Sequence, residues 1–231
     1  MKNMNFILFI IFLINEINFI KGICFPGTKK DFYSNTCSPC PSGTYSSTMD
    51  SYQCYSCPAG TYSMFSKSSQ CTKCKAGEYS LMGASHCSSC LSGYFSNEGA
   101  SSCTPCPSGT YRASYDSKCT PCKAGTYSSS GSSSCFSCSS GYYSNEGASL
   151  CTMCPAGTYS SFGSKCNTCE AGTYSYAGSS SCNACLPGTY SKSGASTCIM
   201  CPANTYSNAR SSFCPPCPPG KKSFIGSSSC S

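Results

Sequence analysis

Twenty-six of the 231 residues are cysteine, and twenty-four of them fall into twelve C-x2-C pairs. Three chemistries use such pairs: thiol–disulfide exchange, zinc ligation and structural cross-linking. Exchange needs one C-x2-C at a helix start beside a βαβ unit, not twelve in a row. Zinc needs two pairs per ion, usually 15–20 residues apart and often with a histidine. Here successive pairs are about 13 residues apart, and the only histidine, His86, sits beside Cys87 at a position where equivalent segments carry Ser102 and Ser134. Cross-linking is the chemistry the spacing favours. Apart from Glu16 near the N-terminus, the seven carboxylates are scattered, and with one histidine they assemble no acid/base pair or triad. No enzymatic activity, cofactor or metal is expected.

The pairs begin at Cys37, Cys54, Cys71, Cys87, Cys103, Cys119, Cys135, Cys151, Cys166, Cys182, Cys198 and Cys214. They end at Cys40, Cys57, Cys74, Cys90, Cys106, Cys122, Cys138, Cys154, Cys169, Cys185, Cys201 and Cys217, and Cys24 and Cys230 stand singly at the two ends. The period is 15 to 17 residues, the signature of a repeat architecture. After nearly every pair comes a G-x-Y element, as in Gly43–Tyr45, Gly60–Tyr62 and Gly157–Tyr159, usually followed by Ser. The ring position is filled by Tyr45, Tyr62, Tyr79, Phe95, Tyr111, Tyr127, Tyr143, Tyr159, Tyr174, Tyr190 and Tyr206. Phe95 indicates that ring area matters more than the hydroxyl, and the rings are expected to pack on the disulfides and the adjoining repeat. Asn204 replaces the glycine once. Asn is well tolerated in the left-handed backbone region, so this position is expected to require positive φ. The first and last repeats read Gly27-Thr28-Lys29 and Gly220-Lys221-Lys222, a polar replacement of the ring that suits capping units. Residues 87–134 closely match 135–181, down to GYFSNEGAS and GYYSNEGAS. This reads as a three-repeat duplication and makes Glu98 and Glu146 weak evidence of a site.

Two connectivities fit the spacing. In a sequential scheme the second cysteine of each pair bonds the first of the next, from Cys24–Cys37 and Cys40–Cys54 to Cys217–Cys230, which consumes all 26 cysteines in 13 bridges. A crossed scheme bonds first to first and second to second, and strands Cys24 and Cys230 far apart. The accounting favours the sequential scheme. Each loop it closes is worth about 3 kcal/mol in the chain-entropy model.

The bridges have much to do. The chain has no Trp and no Val, and beyond residue 22 its large aliphatics are Ile23, Leu81, Leu91, Leu150, Leu186, Ile199 and Ile225. Seven such side chains make no ordinary core, and without cross-links this composition reads as disordered. Residues 1–22 carry Lys2, an apolar run from Phe6 to Ile14 and then polar residues. That run is too short to span a bilayer and fits the core of a signal peptide, with an uncleaved anchor as the alternative. Secretion would place the cysteines where disulfides persist. Without residues 1–22 the net charge of +7 falls to +6, because Lys2, Lys21 and Glu16 leave. The basic residues form only small pairs, Lys29–Lys30 and Lys221–Lys222, so nucleic acid is not an expected partner.

The element C-P-x-G-T-Y-S, returning to cysteine about 14 residues on, resembles the ephrin-receptor-like cysteine-rich repeat. Cys57-Pro58-Ala59-Gly60-Thr61-Tyr62-Ser63 and Cys154-Pro155-Ala156-Gly157-Thr158-Tyr159-Ser160 carry it. That family stands near the tumour necrosis factor receptor and growth-factor-receptor cysteine-rich modules, and long arrays resembling this one occur in secreted and surface proteins of protists such as ciliates. The resemblance implies small disulfide-rich repeats, an elongated rod of stacked loops of about 16 residues with short β pairs and no conventional hydrophobic core. The expected organisation is a signal peptide over 1–22 and an array of about 13 repeats over 23–231. The expected function is that of a secreted or surface-associated coat or spacer protein. The alternative is an extracellular module binding a protein or glycan, held at the cell surface by a partner or by further sequence. A hot spot would show as local divergence with exposed aromatics or Arg, and the candidates are Tyr111-Arg112 to Tyr115, Met64-Phe65 and Ala209-Arg210.

Overall fold

Each P-x-G-T segment closes a tight turn in a computed structural model, which describes residues 22–114 and 116–231. The signal peptide expected over 1–22 lies, but for residue 22, outside the described residues. In the first such turn the Thr44 amide and hydroxyl both donate to the Pro41 carbonyl, at 3.1 and 2.8 Å. Gly43, third in the turn, has φ of 80°. A four-residue turn with positive φ at its third position is of type II and selects glycine there. Asn204 takes φ of 62° at the one site where glycine is replaced.

The turn delivers a two-residue strand that pairs, antiparallel, with the two residues following the next cysteine. Thr126–Tyr127 pairs with Phe136–Ser137, with Tyr127 opposite Phe136 and Thr126 opposite Ser137. The same register recurs for Thr61–Tyr62 with Thr72–Lys73 and for Thr173–Tyr174 with Asn183–Ala184. Among the described residues every element is a short strand, with no helix. Isolated hairpins this short are not stable in water, so stability must come from the bridges and from repeat-to-repeat bonding.

That bonding is regular. Three backbone contacts join Cys57–Cys71 to Cys74–Cys87: the Gly60 amide donates to the Ser80 carbonyl at 2.8 Å, Cys74 donates to Gly60 at 2.9 Å and Gly83 donates to Cys57 at 2.8 Å. The Ser80 hydroxyl adds a fourth, to the Thr61 carbonyl at 2.9 Å. The same set joins Cys169–Cys182 to Cys185–Cys198 through Gly172, Ser191, Cys185, Gly194 and Cys169, with the Ser191 hydroxyl on Thr173. Backbone groups that an ordinary domain satisfies within long strands are here satisfied between successive short loops.

The core consists of half-cystines and serines. Cys40, Cys57, Cys74, Cys106, Cys122, Cys154, Cys169 and Cys201 are 0% exposed, as are Ser46, Ser128, Ser160, Ser175 and Ser191. All seven large aliphatics beyond residue 22 lie at the surface, from Ile23 at 51% to Leu91 at 78%. Contacts also reach beyond the adjacent repeat. A Cβ on Gly60 would collide with the carbonyl of Gly99, two repeats on, and one on Gly109 would collide with that of Gly147. These glycines are required twice over, by φ and by close backbone approach.

The chain forms two compact units. One comprises the described residues up to Thr104 together with Ser114–Lys118, and the other Pro105–Ala113 with Cys119–Ser231.

Candidate functional site

Thirteen disulfides join the cysteines in sequence order, from Cys24–Cys37, Cys40–Cys54 and Cys57–Cys71 through Cys122–Cys135 to Cys201–Cys214 and Cys217–Cys230. Their Cα–Cα distances run from 5.4 to 5.8 Å, inside the range a disulfide adopts without backbone movement. No cysteine is free. Each bridge ties the residue before a turn to the residue before the returning strand, so it staples a hairpin at its base. Among the described residues no cluster of His, Cys, Asp or Glu is placed to hold a metal ion. His86 is exposed and its Nδ1 lies 3.1 Å from the Ser85 hydroxyl.

The ring positions, Tyr45 through Tyr206 with Phe95 among them, are all half-buried. Tyr127 lies 6.0 Å from Phe136 between ring centroids, and Tyr45 lies 6.1 Å from Tyr55. Tyr190 faces Ile199, and several others face a small polar residue, as with Tyr62 and Thr72 or Tyr159 and Asn167. The rings form the walls of a recurring surface groove. Tyr79 shares one with Leu91 and Cys103, Tyr174 one with Leu186 and Cys198, and Tyr159 one with Glu170 and Cys182.

The divergent segments differ in exposure. Arg112 occupies the serine position after Tyr111 and is 3% exposed, so it offers no surface hot spot, and Tyr115 lies outside the described residues. Met64 and Phe65 are exposed, at 55% and 74%. Arg210 is exposed and its backbone is left-handed, with φ of 63°. Two charged networks stand in the first repeats. The Asp50 carboxylate accepts from the Cys24 amide at 2.9 Å and from Lys30 Nζ at 3.2 Å. Those bonds, the Cys24 amide first, hold its pKa below the ordinary carboxylate value. Asp31 is lowered in the same direction by the Ser34 amide, the Ser34 hydroxyl and the Tyr33 amide.

Sequence reasoning missed the role of the serine that usually follows G-x-Y. That serine is the most buried polar residue of the repeat, and its carbonyl bonds the preceding repeat. So does the hydroxyl of Ser80, Ser128 and Ser191, while those of Ser46 and Ser63 bond their own loops. Its recurrence after the tyrosine was the available signal. The second, loop glycine was missed as well, since its role depends on a partner about 26 residues earlier in sequence, as with Gly83 and Cys57.

Comparison with curated proteins returns no match. A family model described as tyrosine-protein kinase ephrin type A/B receptor-like matches residues 77–118 and 188–231. Those two stretches repeat the same turn, strand pair and bridge as the rest of the described chain. The chain is accordingly a cysteine-rich repeat protein, two stretches of which are similar to the ephrin receptor-like family.

Proposed function

We propose that the chain works outside the membrane as a structural protein, a coat or spacer secreted or held at a surface. Receptor-like cysteine-rich repeats and thirteen disulfides point to the extracellular setting. Among the described residues no helix is long and apolar enough to cross a membrane. One observation carries the structural reading. The set of backbone bonds between repeats recurs with little change wherever it can be followed within a unit, from Gly27–Ser46 to Gly188–Ser207. A chain whose buried groups are consumed by cross-repeat bonds and bridges is built to persist rather than to react.

Locating the protein and challenging it there tests the reading. Protein recovered from the medium or cell surface should contain no free thiol and no metal by intact mass. It should resist protease until reductant is added. Recovery mainly from the cytosol, with reactive thiols or stoichiometric zinc, would overturn it.

A further inference from the structure

Three equivalent grooves recur along the chain, and one differs in chemistry from the other two. The residue after the second cysteine forms one wall. It is Leu91 and Leu186 in two grooves and Glu170 in the third. The third groove, about 320 Å³, is lined by Tyr159, Thr168, Glu170, Thr173, Ser181 and Arg210, against the Cys182 half-cystine.

Glu170 is the one carboxylate at its repeat position and Arg210 the one arginine at its own, and the repeat needs neither side chain. The position of Glu170 is proline in about half of the repeats, as in Cys154-Pro155 and Cys201-Pro202, and Leu, Lys or Ser in most of the others. What the turn requires there is a carbonyl accepting from the following threonine, which Glu170 supplies to Thr173 just as Pro155 does to Thr158. Glycines hold the position of Arg210 in most repeats, Asp50 and Lys67 being among the other exceptions, and its amide donates to Cys185 as those of Gly178 and Gly194 donate to Cys154 and Cys169. An arginine at φ of 63° is strained where glycine is not. Stacking two repeats apart brings the two together, since the α-carbon of Gly172 lies against the Arg210 carbonyl. Forty residues separate Glu170 from Arg210 in sequence, yet they converge on one groove. Both are exposed, and among the described residues no ion pair joins them.

We propose that this groove binds a neutral sugar residue of a glycan. A carboxylate accepts from two vicinal hydroxyls and a guanidinium donates to two oxygens. Thr168, Thr173 and Ser181 add short hydroxyls, and the half-buried Tyr159 ring offers an apolar wall for the C–H face of a pyranose. One charge of each sign suits a ligand rich in hydroxyls and without net charge. The site stands beside the coat or spacer reading and does not depend on it.

Reversion to the repeat's own residues tests the site without endangering the fold. The full chain, Glu170→Pro, Arg210→Gly and the double variant are titrated with mannotriose, cellotriose and tri-N-acetylchitotriose, followed by saturation-transfer NMR. Sialyllactose serves as the charged comparator. We expect one of the neutral probes to bind the parent at millimolar concentration, and each reversion to weaken it about tenfold or more. Melting temperature should hold or rise in Arg210→Gly. No transfer from any neutral probe, binding that survives the double reversion, or binding of sialyllactose alone would each overturn the proposal.

Discussion

Two successive junctions in the second unit differ by one residue of loop. At the first, the loop of the Cys138–Cys151 repeat keeps the ordinary length, the Gly147 amide donates to the Cys122 carbonyl at 2.7 Å, and Cys122 is wholly buried. At the next, the loop closed by Cys154–Cys166 is one residue shorter, with a separation of 12 against the usual 13. Gly163 turns its amide inward to Ser160 Oγ at 3.0 Å. Its carbonyl takes the Ser144 amide, a bond that the residue after the glycine makes elsewhere, as Ala148 does for Ser128. Cys138 is left half-buried. The missing proline after Cys138 is not the reason, because Cys122 precedes Lys123 and Cys169 precedes Glu170, and both are fully buried. Loop length governs how well a repeat covers the disulfide below it.

The glycine beneath each loop reads out the same difference, and here the largest effect is expected. Gly125 and Gly141 share nearly the same φ, 86° and 83°. A Cβ on Gly141 would collide with the Gly178 carbonyl, whereas one on Gly125 would meet the short loop at 3.1 Å or more. Gly141→Ala should therefore lose about 3 kcal/mol, from left-handed strain plus overpacking against backbone. Gly125→Ala should lose about 1–2 kcal/mol, the strain alone. Thermal melts of the oxidised proteins measure both. Equal losses would mean that loop length does not set the spacing.

The rings come next. Tyr127 faces Phe136 across its hairpin, while Tyr159 in the short repeat faces Asn167. Truncating a buried aromatic costs about 3–5 kcal/mol in a full core, and these rings are half-exposed. Tyr127→Ala should lose about 2 kcal/mol and Tyr159→Ala about 1, the excess reflecting the aromatic pair. Tyr127→Phe should be nearly neutral. Because contacts reach the second neighbour, proteolytic nicking in Tyr127→Ala should spread over two repeats on either side and no further.

Repairing the short loop is the converse experiment. One alanine inserted after Gly163 restores the length found after Gly147. It should return the Gly163 amide to the Cys138 carbonyl and raise stability by about 1 kcal/mol, the net worth of one backbone hydrogen bond. In the parent, limited reduction followed by alkylation and peptide mapping should open Cys138–Cys151 before Cys122–Cys135. The insertion should remove that order.

Much of this architecture is legible in the sequence because the repeat prints its own requirements. The G-x-Y glycine, with Asn204 as its one substitute, reveals the left-handed position, and the scarcity of aliphatics foretells a core without them. The fold's two deeper features are not legible in the same way. The packing of Gly60 beneath Gly99 joins residues 39 apart, and the groove shared by Glu170 and Arg210 joins residues 40 apart. Both depend on the pitch of the stacking, which the 16-residue period does not encode. The serine after the ring was visible as a pattern but mute as to burial, because serine is usually a surface residue.

The smallest effect concerns the opposite irregularity, a loop one residue longer. Cys40–Cys54 has a separation of 14, and Asp50 takes the left-handed position with φ of 50°. The long loop keeps the bond that the short one loses, the Asp50 amide donating to the Cys24 carbonyl at 2.8 Å. It also adds the carboxylate, which accepts from the Cys24 amide and from Lys30. Because these bonds favour the ionised form, the folded pKa of Asp50 lies below its unfolded value near 3.8. A depressed carboxylate contributes stability above the unfolded value and loses it as pH falls through the folded one. Between pH 7 and 5 nothing should change. Below about pH 4 amide exchange at Cys24 should quicken while the overall melt barely moves, and Asp50→Asn should show quickened exchange already at neutral pH. If Cys24 exchanges at the same rate in the variant and the parent, the backbone bond from Asp50 alone holds the first repeat, and an extra loop residue is as harmless as a missing one is not.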